Sequence, residues 1–442
     1  MDIEKGVLER IVPAADEQRR IDRAVAELTS RVKKIARERG LPYEPVLVGS
    51  IAKGTHLTDP DIDLFLRFPP DVAKEDIGRI DKQIGREILE RPEERYAEHA
   101  YISGIWQGFK TDLVPCYAVT SGRGRISAVD RTPFHTEYVQ KHLRSEQQNE
   151  VRLLKRFAKG AGAYGAEART QGFSGYLCEL LILKFENFAK LVASARKLKA
   201  PVELWIEDKA SKKFDEGFVF VDPVDPARNV ASPVSPDTLQ LFVEACRGYY
   251  REPSERYFFP KEREPFDDAT AKREIEVHPG TVLVELPELG VVDDILWPQL
   301  RKTGVSIQEI LGREGFAPRK LTFEADAERN LILVDCETAE LQATFIHTGP
   351  PEKSPQAANF LEKWKGKGVK EPAVRKGRWQ VEVSRKQRTP AAFLAKQLRD
   401  VRLGKGFKRI DELTVVSGQK LLQKKYRKAL TKHFDERRPW ER

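Results

Sequence analysis

One stretch limits what this chain can fold into more than any other: VGSIAKGTHLTDPDIDLFLRF, residues 48–68. Asp61 and Asp63 stand at i and i+2 at the head of DIDLFLRF, whose apolar residues predict a strand over 61–68. Strand geometry sends both carboxylates out of one face, with ~7 Å of rise between them. Like charges so placed repel each other, and a divalent cation relieves them. Hard oxygen ligands suit Mg²⁺, which keeps waters and recruits phosphate oxygens to complete its octahedron. Gly49-Ser50 closes a short predicted strand, Pro45 to Val48, ahead of a short helix. Glycine lets backbone approach a phosphate, and the Ser50 hydroxyl and helix N-terminal amides can donate to it. Lys53 adds charge one turn on. Asp112, at the head of FKTDLVPCY, supplies a third carboxylate from another strand. Three carboxylates can hold two metals ~3.5–4 Å apart, one at the attacking oxygen and one at the leaving group of an in-line displacement.

Around this stretch the pattern reads as α+β. Ile21, Val25, Leu28, Val32 and Ile35 recur at helical spacing within 14–39, and Gly40 and Pro42 stop that helix. A charged helix near 71–90 and strands near 94–102, 104–109 and 111–117 follow, giving an α/β domain that ends near residue 140. From about 141 to 250 the pattern turns helical: QNEVRLLKRFAKGAG, GFSGYLCELLILKFENFAKLVASARKL and PDTLQLFVEACRGYY read as three helices. Residues 251–280, rich in Pro and charge, read as a linker. Beyond them TVLVEL, RKLTFEA, RNLILVDCE, LQATFIHT and RWQVEVSR read as strands, mixed with helices near 294–314, 390–402 and 418–434. The expectation is a multidomain chain divided as 1–140, 141–260 and 261–442, which suits its 442 residues.

Charge is distributed unevenly. Residues 351–442 carry 26 Lys/Arg against 10 Asp/Glu, a net of +16, whereas 1–350 carry a net of −7. A strongly basic end is what binding to a polyanion such as nucleic acid requires; a solvated tail is the plainer alternative. Trp364, Trp379 and Trp440 are interleaved with these charges, as RNA-stacking or as packed residues. Cys116, Cys178, Cys246 and Cys336 form no CxxC pair, and the other histidines form no HxxxH, so zinc and disulfide frameworks are not expected. The N-terminus is too charged for a signal peptide, and no apolar run approaches the ~20 residues of a membrane span. A soluble cytoplasmic protein is expected.

Singly, each motif has an ordinary reading: an exposed turn, a strand-to-helix turn, a strand cap. In the order Gly-Ser, D-x-D, later Asp, they resemble the polymerase-β-like nucleotidyltransferases. RYAEHAYISG (95–104), TDLVPCY (111–117), SAVDRTPFH (127–135), NEVRLLKRFAKGAGAYGAE (149–167), GFSGYLCELLI (172–182) and VDPVDPARNVA (221–231) further resemble the archaeal (class I) CCA-adding enzymes. The likeness is nearly continuous from about residue 30 to 250 and looser from 280 to 442, where VDDILWPQL (292–300) carries it.

That resemblance implies a catalytic head with a mixed sheet, a helical central domain and an α+β RNA-binding C-terminal region. It implies a template-independent enzyme that adds C, C and A to the 3′ end of tRNA from CTP and ATP, with two Mg²⁺ ions. Asp61, Asp63 and Asp112 match the metal carboxylates; many relatives carry Glu at the first. Ser50, Lys53, His135, Lys155 and Tyr164 match the nucleotide contacts, and Arg is common at the second of these. Arg228 matches the arginine that reads the base. The plainer alternatives are a surface lysine for Lys155, a helix cap for His135, a core residue for Tyr164, and for Arg228 an ion pair with Asp222 or Asp225. The basic C-terminal region would grip the acceptor–T arm, and a homodimer is compatible with the sequence. Two other readings stand beside this one: a poly(A) polymerase or oligoadenylate synthase, and a non-catalytic RNA-binding protein.

Overall fold

The computed structural model describes residues 2–96, 100–407 and 412–442. Ala97, Glu98 and His99, part of RYAEHAYISG and of the strand expected at 94–102, lie outside the described residues. The chain divides into two compact units, residues 1–262 with 437–442, and residues 263–436.

The first unit opens with helix α1 (Ile3–Ile11), which the sequence reading missed, and α2 (Ala15–Arg39). The α2 stripe Ile21, Leu28, Val32 and Ile35 is buried, and Gly40 ends the helix in the left-handed region at φ 58°. Next come β1 (Glu44–Val48), α3 (Gly49–Ala52), β2 (Ile62–Phe68), α4 (Lys74–Ile88), β3 (Glu90–Tyr96), β4 (Ala100–Trp106) and β5 (Phe109–Tyr117). The five strands form one mixed sheet in the order β1-β2-β5-β4-β3, in which β2 and β5 run parallel and the other pairs antiparallel. Ile62, Leu64, Leu66 and Phe68 on β2 pack into a core with Ile21 and Leu28 of α2 and Ile77 and Ile84 of α4.

A helical layer follows: α5 (Thr132–His142), α6 (Ser145–Ala161), α7 (Gly175–Phe185), α8 (Phe188–Ala195), the two-stranded pair β6 (Val202–Leu204) with β7 (Phe218–Phe220), and α9 (Pro236–Arg251). Its core gathers Leu154 and Phe157 from α6, Leu177 and Leu181 from α7 and Phe242 from α9. The single helix expected from GFSG to ARKL is broken in two. Glu186 takes φ 72°, and the Asn187 side chain caps α8 by accepting from the Lys190 amide. Trp440 is buried against Tyr257 at 5.5 Å, so it is a packed residue.

The second unit holds α10 (Asp268–Val277), β8 (Val282–Pro287), α11 (Asp293–Glu314), β9 (Pro318–Ala325), β10 (Arg329–Cys336), β11 (Thr344–Pro351), α12 (Ala357–Trp364), β12 (Ala373–Arg375), β13 (Arg378–Ser384), α13 (Pro390–Gln397), β14 (Thr414–Ser417) and α14 (Arg427–Phe434). They build a four-stranded sheet, β14-β8-β10-β9, and a three-stranded one, β11-β13-β12. Residues 251–280 are not a plain linker: Glu255–Tyr257 form a 3-10 turn and α10 follows, capped by Asp267. The helix expected over 418–434 is two 3-10 turns and then α14. Among the described residues no helix is long and apolar enough to cross a membrane. The four cysteines are buried and free.

Candidate active site

Pairing between strands gathers the acidic residues. Parallel pairing of β2 with β5 sets Asp63 opposite Asp112, and antiparallel pairing of β1 with β2 sets Val48 opposite Asp63. The chain turns at Gly49, with φ 73°, directly over that carboxylate. A Cβ there would lie 2.0 Å from Asp63 Oδ2, so glycine is required by both conformation and space. Ser50 is thereby delivered to the acidic edge, and Lys53 ends the short helix α3.

Crowding shows in the electrostatics. Burial, Asp112 and then Asp61 push the Asp63 carboxyl up to about 7. The flanking carboxylates have protein partners. Lys110 Nζ donates to Asp61 Oδ2 at 2.7 Å, and the Ser103 hydroxyl donates to Asp112 Oδ1 at 2.5 Å. As the side chains stand, no three His, Cys, Asp or Glu among the described residues are grouped closely enough to hold a metal ion. The donor set still fits a hard divalent cation. It offers carboxylates alone, and the middle one is short of positive charge.

A cavity of about 390 Å³ opens on this edge, and Ser50, Lys53, Asp61, Asp63, Lys155 and Tyr164 line it. Asp112 lies beside Asp63 in the sheet. His135 and Arg228 belong to a neighbouring cluster around the buried Asp222, with Tyr176 as the link, since its ring also lines the cavity. Asp222 Oδ2 accepts from His135 Nε2 and from Arg228 Nη1, each at 2.9 Å, and Oδ1 accepts from the Tyr176 hydroxyl at 3.1 Å. Burial alone would raise the Asp222 carboxyl; His135, Arg228 and the Val224 amide hold it at about 2. Burial lowers the His135 imidazole, with Asp222 opposing. The Arg228–Asp222 ion pair is therefore formed, while Asp225 pairs with Arg125 and Arg131. His135 stacks on Tyr176 at 4.1 Å inside α5 rather than capping that helix.

Lys155 is not a surface lysine. It is 2% exposed, and its ammonium meets Thr55 O at 3.1 Å, Thr55 Oγ1 at 3.0 Å and Glu179 Oε1 at 3.3 Å. His56, also at the cavity, accepts its charge poorly: burial and Arg152 push it down to about 4.

Three family models match successive parts of the chain. Residues 29–135 match the nucleotidyltransferase domain, 149–259 the second domain of tRNA nucleotidyltransferase, and 280–418 the C-terminal domain of CCA-adding enzyme. The CCA-adding enzyme of Thermoplasma acidophilum is 36% identical over 408 residues, covering 91% of each chain. The chain belongs to the CCA-adding enzyme family. The CCA-adding enzymes of Halobacterium salinarum (38% over 405 residues, 90% of this chain and 89% of that one) and Archaeoglobus fulgidus (37% over 392 residues, 88% and 87%) agree. As in the CCA-adding family, the five-stranded sheet and its helices form a polymerase-β-like nucleotidyltransferase head, followed by a helical domain and a C-terminal region with its own sheets.

Sequence reasoning passed over Thr55, Ser103, Lys110, Tyr176 and Glu179, and named Asp222 only as an alternative partner of Arg228; all six make hydrogen bonds to or beside the candidate residues. Glu179 did leave a signal. It is the one carboxylate in GYLCELLILKF, and a charge in the buried face of an apolar helix must find partners. Ser103 and Lys110 left none, because only strand pairing brings them to the acidic edge.

Proposed function

We propose that the cavity beside the acidic edge holds the incoming nucleotide, and that Asp61, Asp63 and Asp112 are the ligands of two Mg²⁺ ions. As a tRNA nucleotidyltransferase of the CCA-adding family, the enzyme adds C, C and A to the tRNA 3′ end from CTP and ATP, without a template. In each cycle the 3′-hydroxyl attacks the α-phosphate and pyrophosphate leaves. Nucleotidyl transfer in this family uses a divalent metal, which, when bound, lowers the pKa of the attacking hydroxyl and neutralises triphosphate charge.

The observation that carries this reading is the parallel register that sets Asp112 against Asp63, with Asp61 immediately before the strand that carries Asp63. The chain's own groups position and neutralise. Ser50 donates its hydroxyl to a phosphate oxygen, and Lys53 supplies charge at the cavity wall. Tyr164, which also lines the cavity, offers a hydroxyl. Asp222 fixes His135 and Arg228 toward ribose and base.

Residues 1–140 act as catalytic head, 141–260 complete the nucleotide pocket, and 261–442 grip the acceptor–T arm of tRNA through phosphate and shape. The enzyme works in the cytoplasm. The test is incubation of tRNA lacking CCA with CTP, ATP and Mg²⁺, followed by sequencing of the ends. Three added nucleotides, lost on chelation with EDTA, are expected. A long homopolymer would point to a poly(A) polymerase, and no addition to a non-catalytic RNA-binding protein. Affinity for tRNA should fall steeply with salt; a flat response would remove the role given to the basic end.

A further inference from the structure

The reaction as drawn calls for cations near a triphosphate, yet a fully buried carboxylate stands at the floor of the cavity. Glu179 is 0% exposed, on a turn of α7 whose neighbours Leu177, Cys178, Leu180 and Leu181 are all buried. A carboxylate taken out of water at such a place costs several kcal/mol unless opposite charge and donors surround it. Here both oxygens are engaged. Oε2 accepts from Lys53 Nζ at 2.5 Å, and Oε1 accepts from the Thr55 hydroxyl at 2.6 Å and from Lys155 Nζ at 3.3 Å.

The two lysines are not equivalent. Lys155 points its three donors at three acceptors inside the protein, two of them on Thr55. Lys53 gives one donor to Glu179 and lines the cavity, with its side chain 8% exposed. Two ammoniums therefore share one carboxylate, and the cluster by itself lacks one negative charge.

We propose that Glu179 is a positioning residue of the triphosphate site: braced by Thr55 and Lys155, it fixes the Lys53 ammonium at the cavity wall, where a phosphate oxygen supplies the missing charge. The proposal rests on reading the cavity as the nucleotide site. Lys155, with its donors on Thr55 and Glu179, is the inner brace of that carboxylate. Burial pulls the Lys155 ammonium down, Glu179 opposes that pull, and Lys53 and Cys178 are the other groups that face it. His56, alongside, feels the same ammonium and is uncharged at neutral pH. Burial would raise the Glu179 carboxyl, but Lys53, Lys155 and Thr55 hold it below the usual range.

Glu179→Gln keeps the shape and removes the charge. Equilibrium binding of CTP with Mg²⁺ to the full chain, without tRNA, is measured at one pH, 8, beside KM and kcat for extension of tRNA lacking CCA. In Glu179→Gln the CTP Kd should be roughly tenfold weaker than in the wild type, because the Lys53 ammonium is no longer held at the cavity wall. The loss should fall on Kd and KM rather than on kcat. Lys53→Met, which removes the phosphate contact itself, should weaken CTP by at least as much, and adding Glu179→Gln to it should weaken CTP little further.

Wild-type CTP affinity in Glu179→Gln, or a fall in kcat at unchanged Kd, overturns the proposal. Should Glu179→Gln not fold, Thr55→Val, which removes the hydroxyl that braces Oε1, decides: weaker CTP binding supports the bracing role, and wild-type affinity overturns it. If the wild type binds CTP but extends no tRNA, the reaction assigned above fails while the measured affinities still judge Glu179. If it binds no CTP, the cavity reading and this proposal fall together.

Discussion

The acidic edge of the sheet and the Lys53–Glu179–Lys155 cluster line one cavity and treat charge in opposite ways. At the edge, like charges are set side by side by strand register, and Asp63 is pushed up to about 7. On the helical side, opposite charges interlock and leave Glu179 with both oxygens satisfied. The first arrangement is electrostatically incomplete within the protein, as a site for a cation should be. The second is nearly complete, as a rigid frame should be. The difference teaches that unrelieved repulsion marks where a ligand belongs, whereas satisfied buried pairs mark what holds it.

Four changes would break or sharpen that contrast. The largest effect is expected from Asp63→Ala, which removes a central like charge. Extension of tRNA should fall at least ~1000-fold, an amount that several kcal/mol of lost transition-state stabilisation explains. Its melting temperature should not drop, and Mg²⁺, which should raise that of the wild type by roughly 2–4 °C per kcal/mol of binding, should leave the variant unmoved. Retained extension would break the contrast at its acidic end.

Glu179→Ala should do the reverse and strike stability. Two buried ammoniums lose their counter-charge, and removing one partner of such a pair costs about 3–5 kcal/mol. Urea unfolding measures it, and a loss below ~1 kcal/mol would mean the cluster is no frame.

Next in size is pH. The His56 pKa is about 4 in the folded chain against 6.5 unfolded, so its contribution is present above pH 6.5 and is lost as pH falls toward 4. Unfolding at pH 7 and pH 5 should differ by about 2 kcal/mol from this residue, and His56→Gln should reduce the difference.

The smallest effect concerns a third arrangement, a buried carboxylate without such a frame. Asp81 on α4 is 0% exposed, and burial drives its carboxyl well above the usual range, with the Ile102 amide and Lys82 opposing. Folding therefore carries a proton-uptake cost that grows as pH rises above the unfolded value. Asp81→Asn should raise stability at neutral pH by about 1 kcal/mol, and a destabilised variant would show that Asp81 is held as an anion.

Much of the acidic site was readable because its signals are local. Asp61 and Asp63 share a face through the two-residue period of a strand, and the apolar run behind them fixes which way that strand faces. The stripe on α2 and its Gly40 stop were legible for the same reason. The linker over 251–280 and the unbroken helix from GFSG to ARKL were misread, because capping by Asp267 and Asn187 turns on single side chains that composition conceals.

Sequence alone thus determined the order of the motifs, the carboxylates with their Gly-Ser partner, and the basic end. Only tertiary structure decided that Gly49 lies over Asp63, that Arg228 and His135 meet on Asp222, and that Lys155 is buried on Thr55 and Glu179. The physical reason is reach. A strand or helix period relates residues two to four apart, whereas Lys155 stands 100 positions from Thr55 and 24 from Glu179. Pairings of that range are set by the packing of α6 and α7, which no local spacing encodes.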